Sequence, residues 1–205
     1  MHLEILVEEK STEEALKNLV PKMLGPDISF AINVYQGKPD LLSSLPRYLR
    51  GYKKWISDDY KIIVLIDEDR KDCKELKKNL EETAKKASLL TKAQAKGTPF
   101  QVLNRIAIEE LEAWFFGDIQ ALRKAFPRVP ENLNLKASYR NPDAIKGGTR
   151  ETLERILQRA GYYKSGLPHI ETARKISEHM DPARNRSRSF QVFREGLLAM
   201  VKQYK

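Results

Sequence analysis

Residues 61–73 read KIIVLIDEDRKDC, and this stretch decides the fold. The five apolar residues Ile62–Ile66 run without interruption, which is typical of a central parallel strand buried on both faces. Three acidic residues, 67–69, follow the strand directly, and a long charged helix is predicted over roughly Cys73–Leu90. The stretch therefore predicts a buried strand whose carboxyl end carries acidic side chains.

Strand and helix patterns alternate from residue 3 to residue 116. Three further strands are predicted, at Leu3–Val7, Ile28–Tyr35 and Phe100–Ile108. This alternation predicts an α/β fold with a mostly parallel sheet and helices on both faces. Right-handed crossovers then place the carboxyl end of every strand at one edge of the sheet, where ligands bind in open α/β folds.

The predicted helices follow the strands in turn. One begins after a cap formed by Ser11 or Thr12, and another runs through Leu41–Leu49, with Pro46 near its first turn or at a kink. The helix after the fourth strand is predicted to begin at Glu109. Beyond residue 116 the pattern becomes helical, so we expect an α/β core over residues 1–116 and a helical, basic carboxy-terminal extension over residues 117–205, packed on the core.

The bulk composition favours a folded domain outside the membrane. The 205 residues are 41% hydrophobic, and no apolar run approaches the roughly 20 residues of a membrane helix. The segment MHLEILVEEK has no signal-peptide pattern, and the single cysteine, Cys73, excludes an internal disulfide. We therefore expect a cytoplasmic protein with no membrane partner.

Positive charge is concentrated in the last third of the chain. The net charge is +9, and residues 140–205 contribute +7 of it, from 14 Lys/Arg and 7 Asp/Glu. Such a segment is an electrostatic footprint for nucleic acid or another polyanion. A solvated helical surface explains the same charge equally well, so both interpretations stay open.

Three acidic clusters follow predicted strands and meet at the carboxyl edge of the sheet. Like charges gather at a cost unless a proton or a cation compensates them, and carboxylate oxygens suit Mg²⁺ or Mn²⁺. The candidate metal ligands are Glu8 and Glu13, Asp67 and Asp69, and Glu109 and Glu112.

Each acidic cluster also has a helix-capping alternative. A first-turn carboxylate stabilises a helix by about 0.5–1 kcal/mol, which explains Glu13 but not Glu8. For Glu109 and Glu112, which would share one helix face, the capping explanation is slightly favoured over a second metal site. Asp67 and Asp69 favour a metal, because one acid would be enough to cap the next helix.

Four basic residues are candidate phosphate-binding groups. Lys38 lies in the turn after the second strand and can hold a phosphate as a point charge. Arg184, Arg186 and Arg188 alternate with serines and can bind phosphates through their guanidinium groups. The alternatives are a solvated lysine and, for Ser189, an ordinary helix cap before the last helix.

Other chemistries lack their motifs. The three histidines have no zinc-ligand spacing among themselves or with Cys73. The sequence contains no GxSxG elbow, no Walker lysine motif and no GxGxxG. Serine hydrolase, ATPase and dinucleotide-binding functions are therefore not supported.

The segment EEKSTE at residues 8–13, together with Asp67 and Asp69, resembles a Toprim domain. Toprim domains are the metal-binding modules of topoisomerases, bacterial primases and OLD-family nucleases. The OLD-type pattern is roughly E-G-x-[ST]-[DT]-E, and Glu9 stands where the pattern has glycine. Asp67 and Asp69 match the Asp-x-Asp of the same domain.

A longer set of segments is similar to a Toprim-like bacterial family, domain of unknown function family 4276. The likeness extends from residue 7 to residue 190 and implies a Toprim/Rossmann-like fold; members often occur beside ATPases in phage-defence settings. The segments that carry it are VEEKSTEEAL, YQGKPDLL, VLIDEDRKDC, RIAIEELEAWFFGD, YRNPDAIKGG, GYYK and RSRSF.

The resemblance implies a Mg²⁺-dependent phosphodiesterase, a nuclease on DNA or RNA, acting with a partner ATPase. Glu8 would be a general base or metal ligand, and Asp67 and Asp69 would bind the ion. Glu13, with Glu109 or Glu112, would hold a second ion, and Lys38 and the arginines at 184–188 would position the nucleic-acid backbone. The alternative is a non-catalytic subunit with a degenerate Toprim fold that binds nucleic acid or a protein.

Overall fold

A computed structural model describes residues 1–57, 59–69 and 72–203. These residues form four β-strands, eight α-helices and three short 3₁₀ helices. The strands are β1 (His2–Val7), β2 (Ser29–Val34), β3 (Tyr60–Asp67) and β4 (Val102–Ala107). The α-helices are α1 (Lys10–Leu24), α2 (Lys38–Trp55), α3 (Cys73–Lys86), α4 (Glu112–Gly117), α5 (Ile119–Ala125), α6 (Thr149–Arg159), α7 (His169–His179) and α8 (Arg188–Lys202). The 3₁₀ helices are Glu131–Leu135, Ala137–Tyr139 and Pro142–Ala144.

The four strands form one parallel sheet in the order β2-β1-β3-β4. The predicted central strand is confirmed: β3 lies between β1 and β4, and Ile62–Ile66 are buried. Its apolar run suits this place because helices cover both faces of the sheet. The predicted α/β fold with a parallel sheet is therefore confirmed.

Alternate strand residues pack into two cores, one on each face of the sheet. Ile63 and Leu65 belong to the larger core with α1 and the carboxy-terminal helices. Ile62 and Val64 belong to the smaller core with α2 and α3. The period of two along β3 therefore distributes its side chains between two helical layers.

The helices after residue 117 share the larger core with the sheet. α7 packs along α1, and α8 packs on β4. Gly196 of α8 lies so close to β4 that a Cβ there would come within 2.8 Å of the Leu103 side chain. Within the described ranges, no helix has both the length and the apolar character that a membrane span needs.

Three predicted helix starts are wrong. Helix α1 begins at Lys10 after Glu9, so Ser11 and Thr12 lie inside its first turn and neither caps it. The fourth helix begins at Glu112 rather than Glu109, because the backbone at Glu109 is left-handed, with φ 61°. The last helix is capped by Ser187, whose Oγ accepts a hydrogen bond from the Phe190 N–H, and not by Ser189. Helix α2 continues through Pro46 for nine further residues, so this proline does not lie in the first turn.

Candidate functional site

The centre of the candidate site is a contact between Glu8 and Asp67. Glu8 directly follows β1 and Asp67 ends the neighbouring strand β3, so both side chains start at the carboxyl edge of the sheet. The Asp67 backbone N–H donates a hydrogen bond of 2.7 Å to Oε1 of Glu8. Glu8 is only 6% exposed, and this bond fixes its carboxylate inside the edge.

Lys38 supplies a buried positive charge beside these carboxylates. It is the first residue of α2, and its ammonium nitrogen lies 2.8 Å from Oδ2 of Asp69 and 3.9 Å from Oε1 of Glu8. Gly37 before it has φ 85°, a conformation that favours glycine, and its N–H donates to the Glu8 carbonyl. The turn therefore directs Lys38 into the site, where it is 4% exposed.

The site carries more negative charge than Lys38 compensates. Burial raises the pKa of Glu8 from 4.5 to about 7, although Lys38 and the Asp67 N–H act against this shift. Burial also raises the pKa of Asp67 well above its ordinary value, and the nearby Glu8, Glu112 and Asp69 carboxylates add to the rise. Such a site favours the uptake of either a proton or a cation.

A second group of side chains joins the carboxy-terminal helices to this edge. Glu112, 6% exposed, has Oε1 3.5 Å from Nδ1 of His169 at the start of α7. The Arg150 guanidinium on α6 lies 3.1 Å from the His169 ring and 3.9 Å from Oε2 of Glu9. Arg150 and His169 were missed from the sequence because each contact joins residues far apart along the chain.

The loops after β3 and β4 hold each other in place. The Glu109 N–H donates to Oε2 of Glu68, and the Asp69 N–H donates to the Glu109 carbonyl, each at 3.1 Å. Asp69 and Glu109 both have left-handed backbones, with φ 50° and 61°. These bonds fix the loop that presents Asp69 to Lys38.

A small acidic pocket of about 180 Å³ lies between these loops and α6. Glu110 forms one wall, and its Oε2 accepts hydrogen bonds from Thr149 Oγ1 and the Arg150 N–H at the start of α6. Burial raises the pKa of Glu110. The pocket is lined by Asp69, Glu109, Glu110, Gly148 and Glu151.

The side chains at this edge are of the type that binds a metal ion, but they are not arranged around one point. Buried carboxylates with raised pKa values are the oxygen donors that Mg²⁺ and Mn²⁺ take. In the part of the chain that the structure describes, however, no three Asp, Glu, His or Cys side chains are arranged to hold an ion. The Lys38 ammonium lies beside Glu8 and Asp69 instead.

Glu13 and Glu109 interact with residues other than Glu8 and Asp67. Glu13 forms an ion pair of 2.9 Å with Lys17 on α1. The predicted shared helix face of Glu109 and Glu112 does not exist, because α4 starts at Glu112. Of these three, the structure brings only Glu112 close enough to influence the pKa of Asp67.

The predicted arginines have different surroundings. Arg184 forms two hydrogen bonds, of 2.9 and 2.8 Å, with the buried carboxylate of Asp118, and Arg188 pairs with Glu195 at 3.3 Å. Arg186 is exposed. No contact among the described residues joins these three guanidinium groups to the Glu8–Asp67 edge, so their phosphate role stays a prediction.

The serines between the arginines hold the last helix in place. Ser187 Oγ and Ser189 Oγ donate to Oδ1 of Asp143 at 2.7 and 3.0 Å. The Arg188 N–H donates to Oδ2 of the same carboxylate, and the Trp114 indole donates to Ser189 Oγ. This network joins the start of α8 to α4 and to the 3₁₀ helix of Asp143.

The fold and the site define an α/β protein with buried carboxylates and one lysine at the carboxyl edge of a parallel sheet. The chain belongs to the family described as a domain of unknown function (DUF4276), whose model matches residues 7–198. Searches among curated proteins and among solved structures found no match. The matched region includes Glu8, Lys38 and Asp67 as well as Arg150 and His169.

Proposed function

We propose that this protein is a Mg²⁺-dependent phosphodiesterase of the Toprim type that cleaves nucleic acid. One observation carries the proposal: Glu8 after β1 and Asp69 after β3 contact the buried Lys38, and the backbone N–H of Asp67 donates to the same Glu8 carboxylate. Glu8 and Lys38 are buried and Asp69 is exposed, so the cluster is open to solvent on one side. A cluster with excess negative charge and a single lysine suits a divalent cation and a phosphate group.

Each residue of the cluster has a proposed task. Asp67 and Asp69 would hold the cation, with Glu8 as a third ligand or as the general base, and a bound cation would polarise the phosphate and lower the pKa of a coordinated water. Lys38, now 2.8 Å from Oδ2 of Asp69, would interact with a phosphate oxygen as a point charge.

Glu8 and Arg150 have further proposed roles. As the alternative to binding the ion, Glu8, whose pKa burial raises to about 7, would accept a proton from water near neutral pH. Arg150 presents a partly exposed guanidinium that Glu9 and His169 orient. A guanidinium binds phosphate oxygens in pairs, so Arg150 is the proposed clamp on the scissile strand.

A cleavage assay tests the proposal. Labelled single- and double-stranded DNA and RNA are incubated with the protein in Mg²⁺, in Mn²⁺ or in EDTA. We expect cleavage only with a divalent cation, and a loss of at least about 100-fold in Asp67→Asn, which removes one charged ligand. Asp27→Asn, at an exposed turn, is the matched control and should cleave normally. Cleavage in EDTA, no cleavage with either metal, or full activity of Asp67→Asn would reject the proposal.

The second candidate is a non-catalytic subunit that binds nucleic acid or a protein. It is favoured by the position of Lys38, which supplies a built-in cation to Glu8 and Asp69. This candidate predicts no saturable metal binding and binding of a partner without turnover. The partner ATPase and the role in phage defence rest on the family resemblance alone and stay predictions.

A further inference from the structure

The exposed side of α2 carries large aromatic side chains that no core covers. Tyr48 is 39% exposed and Trp55 is 57% exposed, whereas Trp114, the other tryptophan of the chain, is fully buried. Their spacing along α2 places them on one side of the helix with Gly51 between them. We name this surface the α2 face; it is lined by Arg47, Tyr48, Gly51, Tyr52 and Trp55.

The α2 face contains a shallow pocket of about 350 Å³. Gly51 forms its floor, since a Cβ built at this position would meet nothing within 4 Å. A glycine in the interior of an exposed helix is unfavourable for the helix itself. Its effect here is to leave open space between the rings of Tyr48 and Trp55.

A series of ring contacts leads from this pocket toward the candidate site. The ring of Trp55 lies 5.2 Å from that of Tyr52, and Tyr52 lies 6.4 Å from Tyr48. Tyr48 in turn contacts Tyr35, edge to face, at 5.6 Å. Tyr35 directly follows β2 and precedes Lys38 by three residues. The aromatic side chains therefore extend from the far end of α2 to the edge where Lys38 and Glu8 meet.

The same helix is strongly basic where the rings are exposed. Arg47, Arg50, Lys53 and Lys54 are all exposed, and no ion pair joins them to any described residue. The helix contains one acidic residue, Asp40, which lies in its first turn and accepts a hydrogen bond from the Gln36 N–H. Arg47 lines the pocket, and Lys54, seven residues further along, lies on the same side of the helix. The α2 face thus combines aromatic rings with two cations that pair with no carboxylate among the described residues.

Exposed rings interleaved with cations fit unpaired nucleotides. Every base has a flat face that stacks on an aromatic ring, while the phosphates between bases attract Lys and Arg. Bases in a duplex are stacked on each other and do not offer these faces. A second copy of this chain would bring its own Arg47 and Lys54 against these two cations, which opposes self-association through the face.

We propose that the α2 face binds single-stranded nucleic acid, with bases stacked on Tyr48 and Trp55 and phosphates held by Arg47 and Lys54. The role of this face rests on the proposed function: the bound strand would be led to the Glu8–Lys38 edge, where cleavage is proposed. Binding itself needs neither a metal nor cleavage.

The test is a binding measurement in EDTA, so that cleavage does not interfere. Fluorescence anisotropy of a labelled 12-nucleotide dT oligomer is measured with the wild-type chain, Trp55→Ala and Tyr48→Ala. Each substitution is expected to weaken binding by about 5- to 100-fold, the effect of losing one stacked base. Leu135→Ala, at a 71% exposed apolar residue outside the face, is the control and should bind as wild type.

A second variant keeps both rings and fills the space between them. Gly51→Leu has room for its Cβ and favours the helix, so its melting temperature should equal or exceed that of wild type. We expect it to lose at least 5-fold in oligomer affinity. The oligomer should also quench tryptophan fluorescence in the wild type. Trp114 is buried and shielded from the oligomer, so any quenching reports on the exposed Trp55.

Several outcomes would overturn the inference. The first is an affinity for the oligomer equal to that of wild type in both Trp55→Ala and Gly51→Leu. The second is a wild-type chain that does not bind the oligomer. The third is a wild-type chain that sediments as a dimer and becomes a monomer in Trp55→Ala. The assays separate the two proposals: binding that depends on Trp55 without any metal-dependent cleavage supports the α2 face and rejects the phosphodiesterase. Cleavage that is lost in Asp67→Asn but unaffected by Trp55→Ala, with unchanged binding, does the opposite.

Discussion

The carboxylate of Glu8 accepts a hydrogen bond from the backbone N–H of Asp67, which lies 59 residues further along the chain. The bond links the ends of β1 and β3 and holds two acidic side chains in a buried edge, where both have raised pKa values. Only Lys38 brings positive charge into direct contact with Glu8 among the described ion pairs. The properties of this cluster determine how stability should depend on pH, on Lys38 and on metal ions.

Stability should fall as the pH rises through the range set by Glu8. Its pKa is 4.5 when unperturbed and about 7 in the folded protein, so between these values the folded state holds a proton that the unfolded state releases. The free energy of unfolding therefore decreases from about pH 4.5 to about pH 7, by about 3 kcal/mol for this group. Asp67 acts in the same direction.

Glu8→Gln checks this dependence by urea denaturation at several pH values. The variant should match wild type near pH 4 and be about 2–3 kcal/mol more stable at pH 8, because glutamine has no charge to desolvate. Glu13→Gln, which alters a surface pair with Lys17, should keep the wild-type slope. Parallel curves for wild type and Glu8→Gln would contradict the prediction.

Lys38→Met should destabilise the protein in a manner that depends on pH. The substitution leaves the buried Glu8 carboxylate and the exposed Asp69 carboxylate without their cation, at a cost of about 3 kcal/mol at pH 8. At pH 4.5 the loss should be smaller, because the carboxylates take up protons. Lys17→Met, an exposed lysine with two acidic partners on α1, is the control and should change stability by about 0.5 kcal/mol or less. An equal loss for Lys38→Met at both pH values would argue against electrostatic compensation.

The sequence predicts which strand ends form this site, but not the loop and helix residues that pack against them. Apolar runs such as Ile62–Ile66 define strands, and parallel connections bring Glu8 and Asp67 to one edge without further information. The left-handed turn at Glu109 was not predicted, because first-turn acids suggested a helix there. Arg150 and His169 reach the site only through tertiary packing of α6 and α7, which no local pattern records.

Asp143→Ala should loosen the start of α8. Its carboxylate accepts hydrogen bonds from Ser187 Oγ, Ser189 Oγ and two backbone N–H groups. Removal leaves buried hydroxyl and amide donors unpaired, at a cost of about 2–3 kcal/mol. Thermal or urea denaturation measures the loss, and Asp27→Ala at an exposed turn should stay within about 0.5 kcal/mol of wild type. A loss no larger than that of Asp27→Ala would show that this network is not stabilising.

We expect Arg184 to have a structural role and Arg186 to have a role in binding nucleic acid. Arg184→Met leaves the buried Asp118 carboxylate without its guanidinium and should cost about 2–3 kcal/mol of stability. Arg186→Met should leave stability within about 0.5 kcal/mol and, if the residue contacts phosphate, reduce the salt slope of nucleic-acid binding by about 1. Urea denaturation and binding at several salt concentrations measure both. An unchanged stability of Arg184→Met would contradict the structural assignment.

The structural role of Arg184 was hidden in the sequence for a physical reason. Alternating Arg and Ser residues suit phosphate binding, and the pattern does not show that Asp118, 66 residues away, lies buried opposite Arg184. The α2 face was also not predictable from the sequence. Tyr48 and Trp55 lie at helical spacing, as core residues do, and only the structure shows that they are exposed.

Calorimetric titration of the protein with Mn²⁺ tests the central claim most directly. The account predicts one saturable site, weaker at pH 5.5 than at pH 8 because Glu8 and Asp67 must lose their protons, and absent in Asp67→Asn. Asp27→Asn should bind as wild type. No saturable heat at pH 8, or the same binding in Asp67→Asn, would contradict the claim that this edge of the sheet is a metal site.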